Sequence, residues 1–413
     1  MYKKIFVVLM GLLLASCSPS TVSEDDVENE ESSFKNEELE IADDVKIRRD
    51  YVEFIQSLDD GIKNSMEDEE NFAYSTLGLS IPLSVATNFA KGDDRAVIFQ
   101  SLGIDPSMDL AKEAGILQYR SQGDEGEKAI EYNNSLWINQ SKPIIPEELK
   151  KDALKFQGEV YALNFDETAD EKYQEWQEEV FGETLSSRQF SDDDALFLAN
   201  GLEFNASFFN PFEQDDTREG EFFNDNGSTS TVDMMHQKIS AAYENVDNYE
   251  RIILPMDQGF FTTIILPKEG KFDEVLDNLK DIRRKDLPEY QTVQLALPRM
   301  EMKQSVELGD SLKEGPLAPL FEFYDNHISK EQIKITDIGQ SSLMELHEQG
   351  ISVKALSEIS IDTKSMIPET DLSMIVNRPF ILMVEKDVDT DHKGMNLPVY
   401  TMGIRDMTTL VND

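Results

Sequence analysis

The sequence has one cysteine, few basic residues and no long apolar run. Cys17 stands alone among 413 residues, so an intramolecular disulfide is excluded and the fold must be held by its core. Lys and Arg total 38 against 82 Asp and Glu, which gives a formal net charge of -44. Binding to phosphate needs a basic surface, so this charge argues against a nucleic-acid partner. The four histidines show no metal-ligand spacing, and no metal site is expected.

The apolar run at the amino terminus, residues 5–15, is too short to span a bilayer and follows two lysines, as is typical of an export signal. It ends at Leu14-Ala15-Ser16-Cys17, which resembles the lipobox of bacterial lipoproteins. In that family the signal is removed before the cysteine, which then carries the lipid. The resemblance implies a lipoprotein signal peptide over residues 1–16 and lipidation of Cys17. The alternative is a plain secretory signal with an incidental cysteine.

The segment after the signal is strongly acidic: residues 18–45 contain eleven acidic side chains against the single Lys35. Such a composition cannot bury enough apolar surface to offset its ordering entropy, so residues 17–45 are predicted to be a disordered tether. Its Ser23-Glu24-Asp25-Asp26 is similar to acidic signals that send some bacterial lipoproteins to the cell surface. We expect a protein of the bacterial cell envelope that reaches the outer membrane only through its lipid and faces the periplasm or the medium. Its folded domain is predicted over residues 46–413.

The most informative pattern lies after a strand-like stretch that stops at Gly350. Apolar or small residues then occupy alternate positions: Ile351, Val353, Ala355, Ser357, Ile359 and Ile361. This period of two is typical of a strand with one buried face. It is followed by Lys364-Ser365, a proline and a polar turn, which are typical of an exposed loop. A segment patterned as a strand but placed as a loop indicates a chain with two possible positions.

Two short motifs at the ends of this stretch resemble the serpin family. Glu348-Gln349-Gly350 resembles the hinge of the serpin reactive loop, and Asn377-Arg378-Pro379-Phe380 resembles the strand that follows it. In serpins a protease cleaves this loop, and its amino-terminal half then enters a β-sheet as an extra strand. The resemblance implies a reactive loop at about residues 350–376, since loops this long are uncommon without a function. The implied hinge and inserting residues are Glu348, Gly350, Ile351, Val353, Ala355 and Ser357.

Four polar residues elsewhere resemble those of the serpin sheet where the loop enters. Asn71 and Ser75 belong to a segment similar to the one that ends a strand and opens the central helix. Asn200 lies in a segment similar to the strand beside the entry site, and Gln340 stands where the family commonly has histidine. With further strand patterns, the resemblance covers roughly residues 46–410. It implies an α+β, serpin-like fold with one large mixed β-sheet, two smaller sheets, about eight or nine helices and an exposed loop.

The implied function is suicide-type inhibition of a serine protease by a chain that is not itself an enzyme, acts as a monomer and needs no cofactor. Counting from Glu348 as in the family places the cleaved bond between Lys364 and Ser365. Lysine there suits a trypsin-like protease, whose pocket holds a buried carboxylate. If the cleaved bond lies one or two residues away from this position, Thr363 or Met366 would be the residue that the protease recognises.

Bulky residues at the hinge keep a second function open. Inhibitory hinges favour small residues after the glycine, whereas this chain has Ile351, Val353, Lys354 and Leu356. A hinge that enters the sheet slowly would leave a serpin-fold binding module at the cell envelope without inhibitory activity. Every inward position is nevertheless apolar or small, which favours the inhibitor.

Two enzyme-like motifs are weaker. Gly309-Asp310-Ser311-Leu312 matches a short esterase motif, with Asp389 and His392 at the spacing of the other two triad members. That nucleophile normally lies near the amino terminus, and the hydrolase interpretation leaves the first three-quarters of the chain without a role. Residues 387–391 resemble the start of a calcium loop but continue with His392 in place of the required glycine.

Overall fold

The computed structural model describes residues 32–34, 41–42, 44–64, 66, 69–122, 128–186, 189–283, 287–308, 312–336, 338–353, 372–390, 394–408 and 410. Contacts divide the chain after Glu31, and Ser32–Asp413 forms one compact unit. The compact unit thus begins at Ser32, within the segment predicted to be a tether and before the predicted domain start at Lys46.

Eight α-helices are present in the described part of the chain. Helix α2 (Thr76–Asn88) is capped by Ser75, whose hydroxyl accepts a hydrogen bond from the Gly78 N–H, and the helix is buried nearly all round. Helix α6 (Glu167–Phe181) is capped at its start by Asp166, whose side chain accepts a hydrogen bond from the Thr168 N–H. It ends at Gly182, which has a positive φ. The helices are α1 Arg49–Asn64, α2 Thr76–Asn88, α3 Gly92–Ser101, α4 Leu110–Ser121, α5 Pro146–Phe156, α6 Glu167–Phe181, α7 Phe272–Asp277 and α8 Leu279–Arg283.

Sixteen strands are described. They are β1 Ser32–Phe34, β2 Asn71–Tyr74, β3 Ile130–Asn139, β4 Gly158–Leu163, β5 Leu196–Ser207, β6 Arg218–Phe223, β7 Thr229–Asn245, β8 Tyr249–Pro255, β9 Phe260–Pro267, β10 Tyr290–Pro298, β11 Met300–Glu307, β12 Gly339–His347, β13 Gly350–Val353, β14 Ser373–Ile375, β15 Phe380–Asp389 and β16 Gly394–Ile404.

The strands form two sheets. The main sheet has the order β1-β4-β3-β5-β13-β12-β11 and is mixed, because β3 and β4 are parallel while the other pairs are antiparallel. The second has the order β14-β10-β7-β8-β9-β15-β16-β2, with β6 on β7. The long strand β7 joins its two halves, which correspond to the two smaller sheets expected from the sequence.

The core lies between the two sheets, where α2 contacts β5 on one side and β16 on the other. The outer face of the main sheet carries a separate aromatic cluster in which Trp137 of β3 packs against Tyr173 of α6, and Tyr173 stacks on Trp176. Helix α6 therefore lies across the main sheet. The predicted α+β fold with a large mixed sheet is confirmed, and the described part of the chain has eight helices where about eight or nine were expected. None of the described helices combines the length and apolar character needed to cross a membrane.

Candidate functional site: an open cleft in the main sheet

The main sheet is open along part of its length. Strands β5 and β12 are separated by β13, which has only four residues, and in the described chain β5 and β12 do not pair with each other. Beyond Val353 the space between them opens into a cavity of about 990 Å³, which is also lined by residues 142–144 and by residues between 323 and 336. Its walls come from β5 and β12, its floor from α2, and α6 contributes Tyr173 and Trp176. Part of the cavity therefore lies between two strands of one sheet.

Strand β13 shows how the chain enters this space. Ile351 lies directly opposite Ala206 of β5 and Leu346 of β12, and it is only 1% exposed. Its neighbour Val353 pairs with Phe204 through the backbone, which continues the same register. Residues directly opposite each other in a sheet share a face. Ile351 therefore faces the core, as the alternating pattern predicts.

The hinge before β13 is held by hydrogen bonds from residues 208–217, the segment that follows β5. Glu348 is buried, its carboxylate accepts a hydrogen bond from Thr217 Oγ1 at 2.8 Å, and its carbonyl oxygen accepts one from the Phe212 N–H. The Gln349 carbonyl oxygen accepts a bond from the Phe208 N–H at 2.7 Å. A Cβ atom at Gly350 would lie 2.1 Å from the Ala206 carbonyl oxygen, so only glycine permits this close approach of two strands.

Three of the four predicted polar residues meet at the floor of the cleft. Ser75 donates through its backbone N–H to Gln340 Oε1 at 2.6 Å and accepts from Gln340 Nε2 at 3.0 Å. The Ser75 hydroxyl donates to the Val399 carbonyl oxygen at 2.8 Å. Space above Gly78 is filled by the side chains of Asn200, Ser75 and Gln340, each 3.1–3.3 Å from a hypothetical Cβ there. The fourth residue, Asn71, bonds instead to the backbone of residues 405–406.

One polar atom of this cluster has no partner. Asn200 Nδ2 donates to Asn134 Oδ1 at 2.7 Å, but Asn200 Oδ1 is buried and accepts no hydrogen bond in the described chain. Asn134 in turn donates to Gln118 Oε1 and to the Phe156 carbonyl oxygen. Sequence reasoning missed Asn134 and Gln118, although two adjacent asparagines within a strand pattern were a possible signal. A buried acceptor without a donor costs free energy, and it lies where the cleft is open.

A buried ion cluster adjoins the Ser75 end of the cleft. The Thr76 hydroxyl donates to Asp59, whose carboxylate also binds Arg283. Arg283 Nε lies 3.1 Å from Glu385 Oε1, so two buried carboxylates share one guanidinium. Burial raises the pKa of Glu385 to about 7, and Arg283 only partly offsets this. The carboxylates of Asp59 and Glu385 more than offset burial at Arg283 and raise the pKa of its guanidinium.

Several predicted residues lie outside the described part of the chain. These are Cys17, Ala355, Ser357, Lys364 and Ser365, and for Val353 only the backbone is described. The esterase-like Ser311 and His392 also lie outside it. Within the described residues, no group of three or more His, Cys, Asp or Glu side chains is arranged to hold a metal ion.

The fold is thus an α+β domain whose large mixed sheet has an open cleft between β5 and β12, with the four-residue strand β13 at one end of the cleft after a glycine hinge. Residues 54–391 match the family model described as serpin, serine protease inhibitor. The chain belongs to the serpin family. As a member of a family of protease inhibitors it is not an enzyme, in agreement with the sequence interpretation.

Relatives and solved structures agree with this placement. An uncharacterized serpin-like protein of Thermococcus kodakarensis is 26% identical over 333 residues, which cover 76% of this chain and 77% of that protein. The fold is similar to that of a highly specific serpin of the insect Tenebrio molitor, with a TM-score of 0.70, 20% identity, and 87% of this chain and 98% of that chain covered. It is also similar to thyroxine-binding globulin in complex with thyroxine, with a TM-score of 0.67, 18% identity, and 86% and 98% covered.

Proposed function

We propose that this serpin inhibits a trypsin-like serine protease by moving residues 354–361 into the open cleft after cleavage at Lys364–Ser365. The observation that carries the proposal is the position of β13. The first residues of the loop already pair with β5 and β12, and the cleft continues in the same direction. The chain therefore needs no new entry point to extend the strand.

The observed register supports a specific set of partners for an extended β13. Val353 pairs with Phe204, so continuing two residues at a time would place Ala355 opposite Leu202 and Ser342, and Ser357 opposite Asn200 and Gln340. The Ser357 hydroxyl would then be a donor next to the unpartnered Asn200 Oδ1. This match between an orphan acceptor and a small hydroxyl side chain supports the register.

Apolar burial would drive the insertion. Ile359 and Ile361 continue the inward alternation and would leave water, contributing on the order of 3–6 kcal/mol together. Each new ladder hydrogen bond would add about 0.5–1.5 kcal/mol. The side of the strand facing α6 would carry Lys354, Leu356 and Glu358.

The covalent step is catalysed by the protease. Its serine hydroxyl attacks the carbonyl carbon of Lys364, the amine of Ser365 leaves with a proton, and an ester joins the protease to Lys364. Water would normally hydrolyse that ester. Insertion of residues 354–361 carries the ester away from the loop's original position, and we propose that this outruns hydrolysis.

The alternative is a binding module without inhibitory activity, and the fold permits it, since thyroxine-binding globulin has a similar one. Bulky residues at the hinge would favour this alternative if they kept the loop out of the sheet. Ile351, the first bulky residue, is nevertheless accommodated between Ala206 and Leu346 with 1% exposure, so its size does not keep it out of the sheet.

We also propose that the protein is a lipoprotein anchored through Cys17 in the outer membrane of a bacterial cell envelope. The lipobox-like Leu14-Ala15-Ser16-Cys17 supports this. Cys17→Ala should release the protein from membranes, as followed by fractionation. A variant that stays with the membranes would exclude the lipid anchor.

The inhibitor proposal is tested by mixing the purified protein with trypsin and separating the products after boiling in detergent. The expected result is a complex that survives boiling and a released peptide that begins at Ser365 by mass spectrometry. Lys364→Ala should abolish the complex, while Lys330→Ala, which removes an exposed lysine outside the loop, should not. Complete cleavage without any complex, across proteases of different specificity, would favour the binding module.

A further inference from the structure

One lysine of the second sheet is buried. Lys386 lies in β15 and is only 6% exposed. Its ammonium group donates a hydrogen bond to the Gln258 carbonyl oxygen at 2.7 Å and lies 4.0 Å from the centre of the Phe260 ring. Lysine side chains are rarely buried to this extent, because removing an ammonium group from water is costly. The two contacts of this ammonium group both lead to β5, the strand that pairs with β13.

The first contact holds a turn in an unfavourable backbone conformation. Gln258 lies in the turn between β8 and β9 with φ 55° and ψ 26°, the left-handed region that residues other than glycine rarely adopt. In the described chain Gln157 is the only other such residue, and it caps the end of α5, where this conformation is common. Gln258 ends no α-helix, so its conformation needs another support. The hydrogen bond from Lys386 supplies one.

The turn that contains Gln258 binds the end of β5. Asp257, the residue before Gln258, accepts through Oδ1 a hydrogen bond from the Ser207 N–H at 3.2 Å. Ser207 lies directly opposite Gly350, where β13 begins. The following residue, Phe208, donates its N–H to the hinge at 2.7 Å. The turn therefore fixes the backbone of β5 at the point where the hinge reaches the sheet.

The second contact leads to the other end of β13. The ring of Phe260 packs edge-on against the ring of Phe204, with 5.1 Å between the ring centres. The backbone of Phe204 pairs with Val353, the last residue of β13. A cation over an aromatic face is attracted by the ring, and an edge-to-face contact orients both rings. Lys386 thus supports β5 at the two positions opposite the first and last residues of β13.

We propose that Lys386 is a positioning residue for loop entry, which from the second sheet holds residues 204–207 of β5 in the place where β13 pairs. It acts through Asp257 and Gln258 of the turn and through Phe260 of β9. The role in trapping a protease rests on the proposed function, whereas the effect on β13 in the uncleaved chain does not. If β13 were held less firmly, insertion would start later and hydrolysis of the ester would compete with it.

Two substitutions test the route, and each has a matched control. Lys386→Met removes the ammonium group and keeps an apolar side chain of similar length. Asp257→Ala removes the acceptor for the Ser207 N–H, and because Asp257 is exposed, this variant should fold normally. Lys63→Met removes another buried lysine, whose ammonium group donates to the Asp277 carbonyl oxygen at 3.4 Å. Asp257→Asn keeps an acceptor oxygen.

Hydrogen exchange at the amides of residues 351–353 in the uncleaved protein reports whether β13 is held in the sheet. The ratio of detergent-stable complex to cleaved product with trypsin reports insertion. We expect Lys386→Met and Asp257→Ala to accelerate exchange about tenfold, roughly the factor for losing one hydrogen bond to a charged group, and to lower the ratio. Lys63→Met and Asp257→Asn should match the parent. Adding Gln258→Gly to Lys386→Met should restore part of the protection, because glycine adopts the left-handed conformation without strain.

Unchanged exchange in Lys386→Met would overturn the positioning role, and unchanged exchange in Asp257→Ala would overturn the route through the turn. An equal acceleration in Lys63→Met would show a general loss of stability and would also overturn the proposal. Faster exchange with an unchanged ratio of complex to product would overturn the part in insertion. If Lys386→Met does not fold, the comparison of Asp257→Ala with Asp257→Asn decides. If the parent traps no protease, the proposed function fails, while the exchange result still decides the positioning role.

Discussion

Ser75 and Gln340 are joined by two hydrogen bonds that fix the start of α2 to β12, one wall of the cleft. On the other wall, Asn200 of β5 bonds to Asn134 of β3. β12 is thus bonded to the start of α2, and β5 is bonded to β3, but neither pair of hydrogen bonds joins β5 to β12. Moving β5 away from β12 would break neither pair, so the polar floor of the cleft does not oppose its widening.

Gln340→Ala tests the first of these pairs. The substitution leaves the buried Ser75 N–H without its acceptor, so the free energy of unfolding should fall by about 1–3 kcal/mol. Exposed Gln332→Ala is the matched control and should change it by less than about 0.5 kcal/mol. Urea unfolding measures both. Equal midpoints for the two variants would show that the Ser75–Gln340 bonds do not stabilise the protein.

Gly350→Ala tests the close approach at the hinge. The added Cβ would meet the Ala206 carbonyl oxygen, so β13 should fail to pair with β5 and the loop should no longer enter the sheet. Trypsin would still cleave the variant but would not be trapped. Gly315→Ala is the control, because the nearest atom to its Cβ is at 3.9 Å. A fully trapping Gly350→Ala would rule out this hinge geometry.

Val353→Asp tests the register of the inserting strand. The backbone pairing with Phe204, a core residue, places position 353 on the inner face, where a carboxylate without a partner is costly. The variant should be cleaved as a substrate with little complex formed. Lys354→Asp adds the same side chain at the next position, on the outer face, and should trap almost as well as the parent. The ratio of complex to cleaved product, read from a gel, compares them, and the reverse order would require a shift of one residue.

Glu385→Gln tests the pH dependence of stability. Burial raises the pKa of Glu385 to about 7, above the usual value near 4.3 for an exposed glutamate. The folded state therefore favours the protonated form, and the stability this contributes is present at acidic pH and is lost as the pH rises towards 7. The unfolding free energy of the parent, relative to Glu385→Gln, should fall between pH 5 and pH 7.5. Exposed Glu219→Gln should show no such difference from the parent, and a constant difference across this range for Glu385→Gln would contradict the raised pKa.

The sequence predicted the parts of the site that follow from local pattern. The alternation from Ile351 onward predicted an inward face, and the burial of Ile351 agrees with it. The hinge glycine was found from its motif, but the reason for it, a carbonyl oxygen of β5, depends on a strand about 140 residues away in the chain. Long-range pairing of this kind leaves no local signal.

Other features depended on tertiary contacts that composition hides. The acidic stretch before residue 46 has the composition of a disordered segment, yet Ser32–Phe34 finds a free sheet edge and Arg120 finds two carbonyl oxygens. Backbone pairing needs no particular side chains, so composition alone did not reveal it. The cluster of Asp59, Arg283 and Glu385 joins three distant segments and was likewise not predicted.

The structure of the protein after cleavage at Lys364–Ser365 would show directly whether the cleft receives residues 354–361. We predict that a crystal structure of the cleaved chain will show β13 extended between β5 and β12, with the Ser357 hydroxyl donating to Asn200 Oδ1 opposite Gln340. The uncleaved chain, crystallised under the same conditions, provides the comparison. A cleaved chain whose cleft remains empty, with residues 354–361 outside the sheet, would contradict the proposed insertion between β5 and β12.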